Sequence, residues 1–127
     1  MSTVFQEIIN REIPARIVYE DDKYIAIFPR DVRQLGHTLV IPKREVDSIL
    51  DIDDNETSEI FVLCKKIAKA IQLATNCKRV VYMIHGFEVP HLHIHLIPSF
   101  TGNDTHEDQD FSSEELDDML EKIKTQL

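Results

Sequence analysis

Short apolar runs bounded by turn residues fill much of the chain, and two longer stretches repeat apolar residues at helical spacing. Residues 4–10 place Val4, Phe5, Ile8 and Ile9 three and four apart, which predicts a short helix that ends by Ile13-Pro14. Residues 17–20 and 24–28 are rich in β-branched and aromatic side chains and meet at Asp21-Asp22, so they predict two strands joined by a turn. A loop over 29–35 leads to a third strand over 37–41, closed by Pro42. Asp53-Asp54-Asn55-Glu56 has the form of a capping box and opens the longest predicted helix, which runs to Ala74. Ile60, Cys64, Ile67, Ala68 and Ile71 form its apolar face, and Lys65, Lys66 and Lys69 lie elsewhere on it. Strands follow over 80–84 and 91–97. Ser112-Ser113-Glu114-Glu115 then starts a last helix with Leu116, Met119, Leu120 and Ile123 as its stripe.

Most connections between strands are short, and short connections favour antiparallel pairing. The expected fold is therefore α+β, with helices packed on one face of an antiparallel sheet. At 127 residues the chain reads as a single domain, 1–127, with room for a real core.

Charge changes this picture at one end. Of the net charge of −9, residues 101–127 carry −7 and residues 1–100 only −2. The tail is thus an acidic extension, and polar residues 103–110 are expected to be disordered. A near-neutral body with no basic stripe argues against nucleic acid as a partner. No run of about 18 apolar residues offers a membrane span. Residues 1–10 lack the basic start and apolar block of a secretory leader, which makes the cytoplasm the expected location. Cys64 and Cys77 form no CxxC pair, so neither a disulfide framework nor a cysteine zinc site is expected.

Chemistry concentrates in His91-Leu92-His93-Ile94-His95, which holds half of the six histidines. Alternation with apolar residues predicts a half-buried strand, with all three imidazoles on one face and neighbours roughly 7 Å apart. Pro90 and Pro98 bracket it. Such a row of groups titrating near neutrality suits acid–base or nucleophilic work. It also suits a metal, since His-x-His on a strand with a remote histidine such as His37 is a recurring zinc arrangement. His85 has the reach to join it. Cys64 reads as a core thiol and His106 as a solvated side chain.

With these residues in view, the chain resembles the histidine triad (HIT) family of nucleotide-binding proteins and hydrolases, over roughly residues 3–98. Three segments carry the resemblance in order: Glu12-Ile13-Pro14-Ala15-Arg16-Ile17-Val18-Tyr19-Glu20-Asp21-Asp22, Gly36-His37-Thr38-Leu39-Val40-Ile41-Pro42-Lys43, and His91 to Ile97. The size and the Glu-Ile-Pro segment are similar to the adenosine phosphoramidase-type branch. The resemblance implies a HIT-like five-stranded antiparallel sheet with one long and one or more short helices, two copies joining as a homodimer. It implies binding of a purine nucleotide or nucleoside phosphoramidate, with no metal or organic cofactor. It also implies nucleotidyl transfer through His93 as nucleophile. The carbonyl of His91 would orient that ring, and His95 and His37 would donate to phosphoryl oxygens or the leaving group. Backbone N–H groups from Gly86 to Val89 would add to the oxyanion site. Phe5, Ile8, Ile27 and Leu39 match residues that wall the family's base and ribose pocket.

Two departures bear on the chemistry. Eight positions before His37, where the family usually has a ribose-holding aspartate, stands Pro29. Before the triad, Phe87 and Glu88 take the places nearest the phosphate. An ionised Glu88 about 4 Å from a phosphoryl oxygen costs on the order of 4 kcal/mol at an effective dielectric of 20. Burial would instead favour a protonated carboxyl that serves as hydrogen-bond donor or leaving-group acid. The competing readings are a nucleotide-binding module with little turnover, which Pro29 and Glu88 favour, and a histidine-ligated metalloenzyme.

Overall fold

The computed structural model describes residues 3–127. Helix α1 (Val4–Ile9) is capped by the Thr3 hydroxyl, which accepts from the backbone N–H of Gln6. Strands β1 (Ile17–Glu20) and β2 (Tyr24–Ile27) flank a turn in which the Asp21 carboxylate accepts from the N–H groups of Lys23 and Tyr24. β3 (Thr38–Pro42) precedes a short 3-10 turn (Ile49–Asp51) and then α2 (Asp54–Thr75). β4 (Arg79–Met83), β5 (Ile94–Ser99) and α3 (Ser113–Thr125) complete the chain. The strands form one antiparallel sheet in the order β1-β2-β3-β5-β4. The expected α+β class and five-stranded sheet are what the structure has.

Alternation on β2 and β3 buries both faces of the sheet. Tyr24, Ala26 and Val40 face α2 and α3, in a core with Ile60, Cys64, Ile67, Ile71, Leu96 and Ile123. Ile25, Ile27, Leu39 and Ile41 face the other way and pack with Phe5 and Ile8 of α1. Helices therefore cover both faces, not one, because β2 and β3 are buried at every position and carry apolar side chains on both faces.

Helix ends follow their local chemistry. Asp53 caps α2 by accepting from the N–H of Glu56. The expected reciprocal contact is absent, since the Glu56 carboxylate pairs with Arg44 instead. Ser112 and Glu115 do form a full capping box at α3. Two boundaries differ from expectation at the site. β5 begins at Ile94, not His91, because the N–H of Leu92 donates to Val46 and the chain there leaves the sheet. Pro98 lies inside β5, past the last residue paired with β3.

The acidic tail is ordered where disorder was expected. Asp104 accepts from the Ser99 hydroxyl at 2.6 Å and the Phe100 N–H at 2.7 Å, and Thr105 is buried. Arg16 fastens α3 to the sheet side through Asp117 and Ser113. Among the described residues, no helix is long and apolar enough to cross a membrane.

Candidate active site

Four histidines meet where the loop before β3 approaches the start of β5. Leu39 pairs directly with His95 across β3 and β5, which puts His95 on the sheet face that carries α1. His37 arrives one residue before β3, after Gly36 at φ +103°. Its ring Nε2 lies 2.9 Å from Nδ1 of His95.

Hydrogen-bond partners that can act in only one sense fix the tautomers. A backbone N–H only donates, so Nδ1 of His37 accepts from Arg33 at 3.0 Å. The neutral His37 ring then carries its hydrogen on Nε2 and gives it to Nδ1 of His95. That leaves His95 with Nε2–H as a donor for a third party. A carbonyl only accepts, so Nδ1–H of His93 donates to the His91 carbonyl at 2.7 Å, and the Nε2 lone pair of His93 is free. In the same way His91 donates from Nε2 to the Pro42 carbonyl at 2.7 Å.

Burial favours the neutral form of His37, His93 and His95. It is the first cause that pushes His37 down to about 3, helped by His95, Arg33 and His93. It also pushes His95 down to about 4, with His93, Arg33 and His85 adding to the effect. His93 is lowered too, mainly by burial, while the hydrogen bond to the His91 carbonyl works in the opposite direction.

The surroundings separate the predicted residues into groups. His93 and His95 stand together, their ring centroids 5.1 Å apart. His91 does not join a row with them: its ring is fully buried on Pro42, and its carbonyl is the group that reaches His93. His37 does not present a hydrogen to a substrate either, because that hydrogen is spent on His95. Phe5 stands edge-on to His93 at 4.8 Å and to His91 at 5.9 Å. Ile8, Ile27 and Leu39 are buried with Phe5 in one cluster, and Val89 packs at its margin. Gly86 turns the loop between β4 and β5 at φ +85°. Glu88 is exposed, not buried, and its charge acts on His93. His85 reaches the site, its ring perpendicular to His95 at 6.2 Å. Pro29 is half-buried, and Asp31 is exposed beside Arg30.

Arg33 escaped sequence reasoning. Its contribution is a backbone N–H, which no side-chain motif reveals. His37 and His95 use facing nitrogens on each other and Nδ1 of His93 is committed to a carbonyl, which leaves the Nε2 atoms of His93 and His95 for a ligand. Among the described residues no group of three His, Cys, Asp or Glu side chains is set to hold an ion.

Known proteins share this fold. Residues 10–102 match the HIT domain family. An uncharacterised HIT-like protein of Methanocaldococcus jannaschii is 32% identical over 130 residues, covering 95% of this chain and 98% of that protein. A crystal structure of a Hit-like protein involved in cell-cycle regulation from Bartonella henselae, with an unknown ligand, superposes with a TM-score of 0.89. It is 32% identical and covers 99% of this chain and 96% of its own. The structure of a hypothetical histidine triad nucleotide-binding protein from Sulfolobus tokodaii gives 0.84 at 28% identity, over 96% of this chain and 89% of its own.

Proposed function

This chain belongs to the HIT family, and from that premise we propose that it hydrolyses a nucleoside phosphoramidate or a related phosphoanhydride through a nucleotidyl-histidine. Family membership supports a nucleotide-binding hydrolase or transferase. The finer reading rests on one observation above all: the His91 carbonyl holds the Nδ1 hydrogen of His93, which leaves Nε2 as an unshared, buried lone pair. A neutral imidazole so oriented is a competent nucleophile, and covalent catalysis divides one hard displacement into two easier ones.

In this reading Nε2 of His93 attacks the α-phosphorus, and the bond to the leaving group breaks. His95 donates its Nε2–H to a phosphoryl oxygen as charge builds there, and His37 keeps His95 in the donating tautomer. Water then cleaves the phosphorus–nitrogen bond and releases the nucleoside monophosphate. Phe5, Ile8, Ile27 and Leu39 wall the base and ribose side, and Gly86, Glu88 and Val89 line the phosphate side. A purine nucleotide is the expected ligand.

The active unit in this reading is a homodimer. β4 is an outer strand of the sheet, and it carries exposed Tyr82, followed by exposed Ile84. Phe61 of α2 stacks on Tyr82 at 6.4 Å, and the next residue, Val62, is 69% exposed. An uncovered edge flanked by apolar side chains is stabilised by pairing with a second copy. Light scattering at micromolar concentration that returns a monomer would overturn the dimer.

Mass spectrometry of the protein mixed with adenosine 5′-phosphoramidate tests the chemistry. AMP release with a transient AMP adduct on the wild type, both lost in His93→Ala, is the expected result. AMP binding without turnover would make the protein a binding module instead.

A further inference from the structure

The acidic tail contacts the loop that holds His37. Gln109 donates its side-chain amide to the Arg33 carbonyl at 2.9 Å and its backbone N–H to the Val32 carbonyl at 2.8 Å. Arg33 in turn donates from Nη1 to the Thr105 carbonyl at 3.2 Å. The Gln34 amide donates to Asp104 at 3.2 Å. Three consecutive loop residues are thus held by one tail segment. On the opposite side, the same residues hold His37: the Arg33 N–H meets its Nδ1, and the Gln34 carbonyl accepts from its backbone N–H at 3.0 Å.

Asp104 links this loop to the other histidine. Its carboxylate accepts from Ser99, the last residue of the strand that carries His95, and from the Phe100 N–H just beyond. The Ser99 hydroxyl, first among several donors, holds that carboxyl below the usual range. The tail therefore bridges the two elements whose separation sets the contact between His37 and His95.

We propose that residues 104–109 form a strap that holds the Arg33 N–H on Nδ1 of His37, with Gln109 and Asp104 as positioning residues. Without the strap, the loop over 32–34 has lost four side-chain contacts, the 3.9 Å ion pair of Arg33 with Asp108 among them, and its backbone bond to Gln109. The Arg33 N–H then moves off the ring, and nothing obliges His37 to carry its hydrogen on Nε2. His95 loses its fixed donor, and its own tautomer becomes mixed.

The catalytic meaning of the strap rests on the role proposed for His95, but its structural test needs no substrate, so the two fail separately. Nitrogen-15 spectra of the full chain at neutral pH report imidazole tautomers directly. In the wild type, His37 is expected to show a protonated Nε2 and an unprotonated Nδ1, widely separated in shift. In Gln109→Ala and Asp104→Ala the two signals should move toward each other as the tautomers mix, while amide signals from β1 and β2 stay in place. If Asp104→Ala does not fold, Gln109→Ala decides alone, since its exposed side chain is not part of the core. A His37 signal pair unchanged in Gln109→Ala would overturn the proposal.

Discussion

Nε2 of His37 lies 2.9 Å from Nδ1 of His95, and the Arg33 N–H on the far side of the His37 ring makes that contact run in one direction. A ring held this way cannot accept a proton without losing one of its two partners. Its stability contribution follows from linkage. His37 is lowered from 6.5 to about 3 on folding. The unfolded chain therefore binds the proton more readily, and the contribution is complete above pH 6.5 and lost as pH falls from there toward 3. At pH 5 the loss from this group is about 2 kcal/mol. Denaturant unfolding at pH 7 and pH 5 should show a larger difference than this in the wild type, because the lowered His95 adds its own loss, and His37→Gln should remove about 2 kcal/mol of it. An unaltered pH dependence in the variant would contradict the buried, neutral assignment.

The same lowering acts on His93, the proposed nucleophile. An imidazolium has no lone pair on Nε2, so the reaction should fall as pH drops through the pKa of His93. Burial puts that value below the ordinary 6.5. The acid limb of kcat/KM for adenosine 5′-phosphoramidate is thus expected to have its midpoint below pH 6.5, and activity at pH 6.5 should exceed half of its maximum. A midpoint at or above 6.5 would argue against an unprotonated, buried His93 as the attacking group.

In the proposed reaction the exposed Glu88, whose charge acts on His93, takes part in selecting the leaving group. A carboxylate disfavours a departing phosphate and favours a departing amine, which gains a proton as it leaves. Glu88→Gln should therefore slow phosphoramidate turnover by about tenfold and raise activity toward a dinucleoside polyphosphate by a similar factor. Steady-state kinetics on both substrates between pH 5 and 8 measures the change. Equal rates for variant and wild type on the phosphoramidate would remove Glu88 from the chemistry.

Much of this arrangement is legible in the chain because local patterns and distant contacts agree. The stripe Ile60, Cys64, Ile67, Ala68 and Ile71 is the buried face of α2, and α3 starts at the Ser112-Ser113-Glu114-Glu115 segment read as a helix start. Where reading failed, the deciding partner was far away in sequence. Alternation at His91 and His93 has the look of a strand, but Pro42 takes the His91 ring and Val46 takes the Leu92 N–H, so pairing begins only at Ile94. The polar run from Asp104 to Gln109 has the composition of a disordered segment. Its order comes from Val32, Arg33, Gln34 and Ser99, none of which is predictable from the segment itself. The short α1 likewise covers the face opposite α2 because the central strands are apolar on both sides, not because of anything in its own pattern.

Gly36 is the residue whose replacement tests the whole approach to His37. Its φ of +103° is one that L side chains rarely adopt, and an added Cβ would stand 3.2 Å from Cγ2 of Thr75, with Pro98 and Ile123 close behind. Thr75 cannot easily turn away, since its hydroxyl donates to the Ile71 carbonyl and accepts from the Cys77 N–H. Gly36→Ala thus meets both backbone strain and a crowded neighbour, at a cost of about 1–3 kcal/mol. Thr75→Ser in the same chain removes the crowding methyl and keeps the hydroxyl, so it separates the two causes. Chemical denaturation should show the double variant recovering less than half of the loss, because the strained φ remains. Full recovery would mean that crowding alone makes glycine necessary, and a stable Gly36→Ala would mean that the loop before β3 has another way to bring His37 to His95.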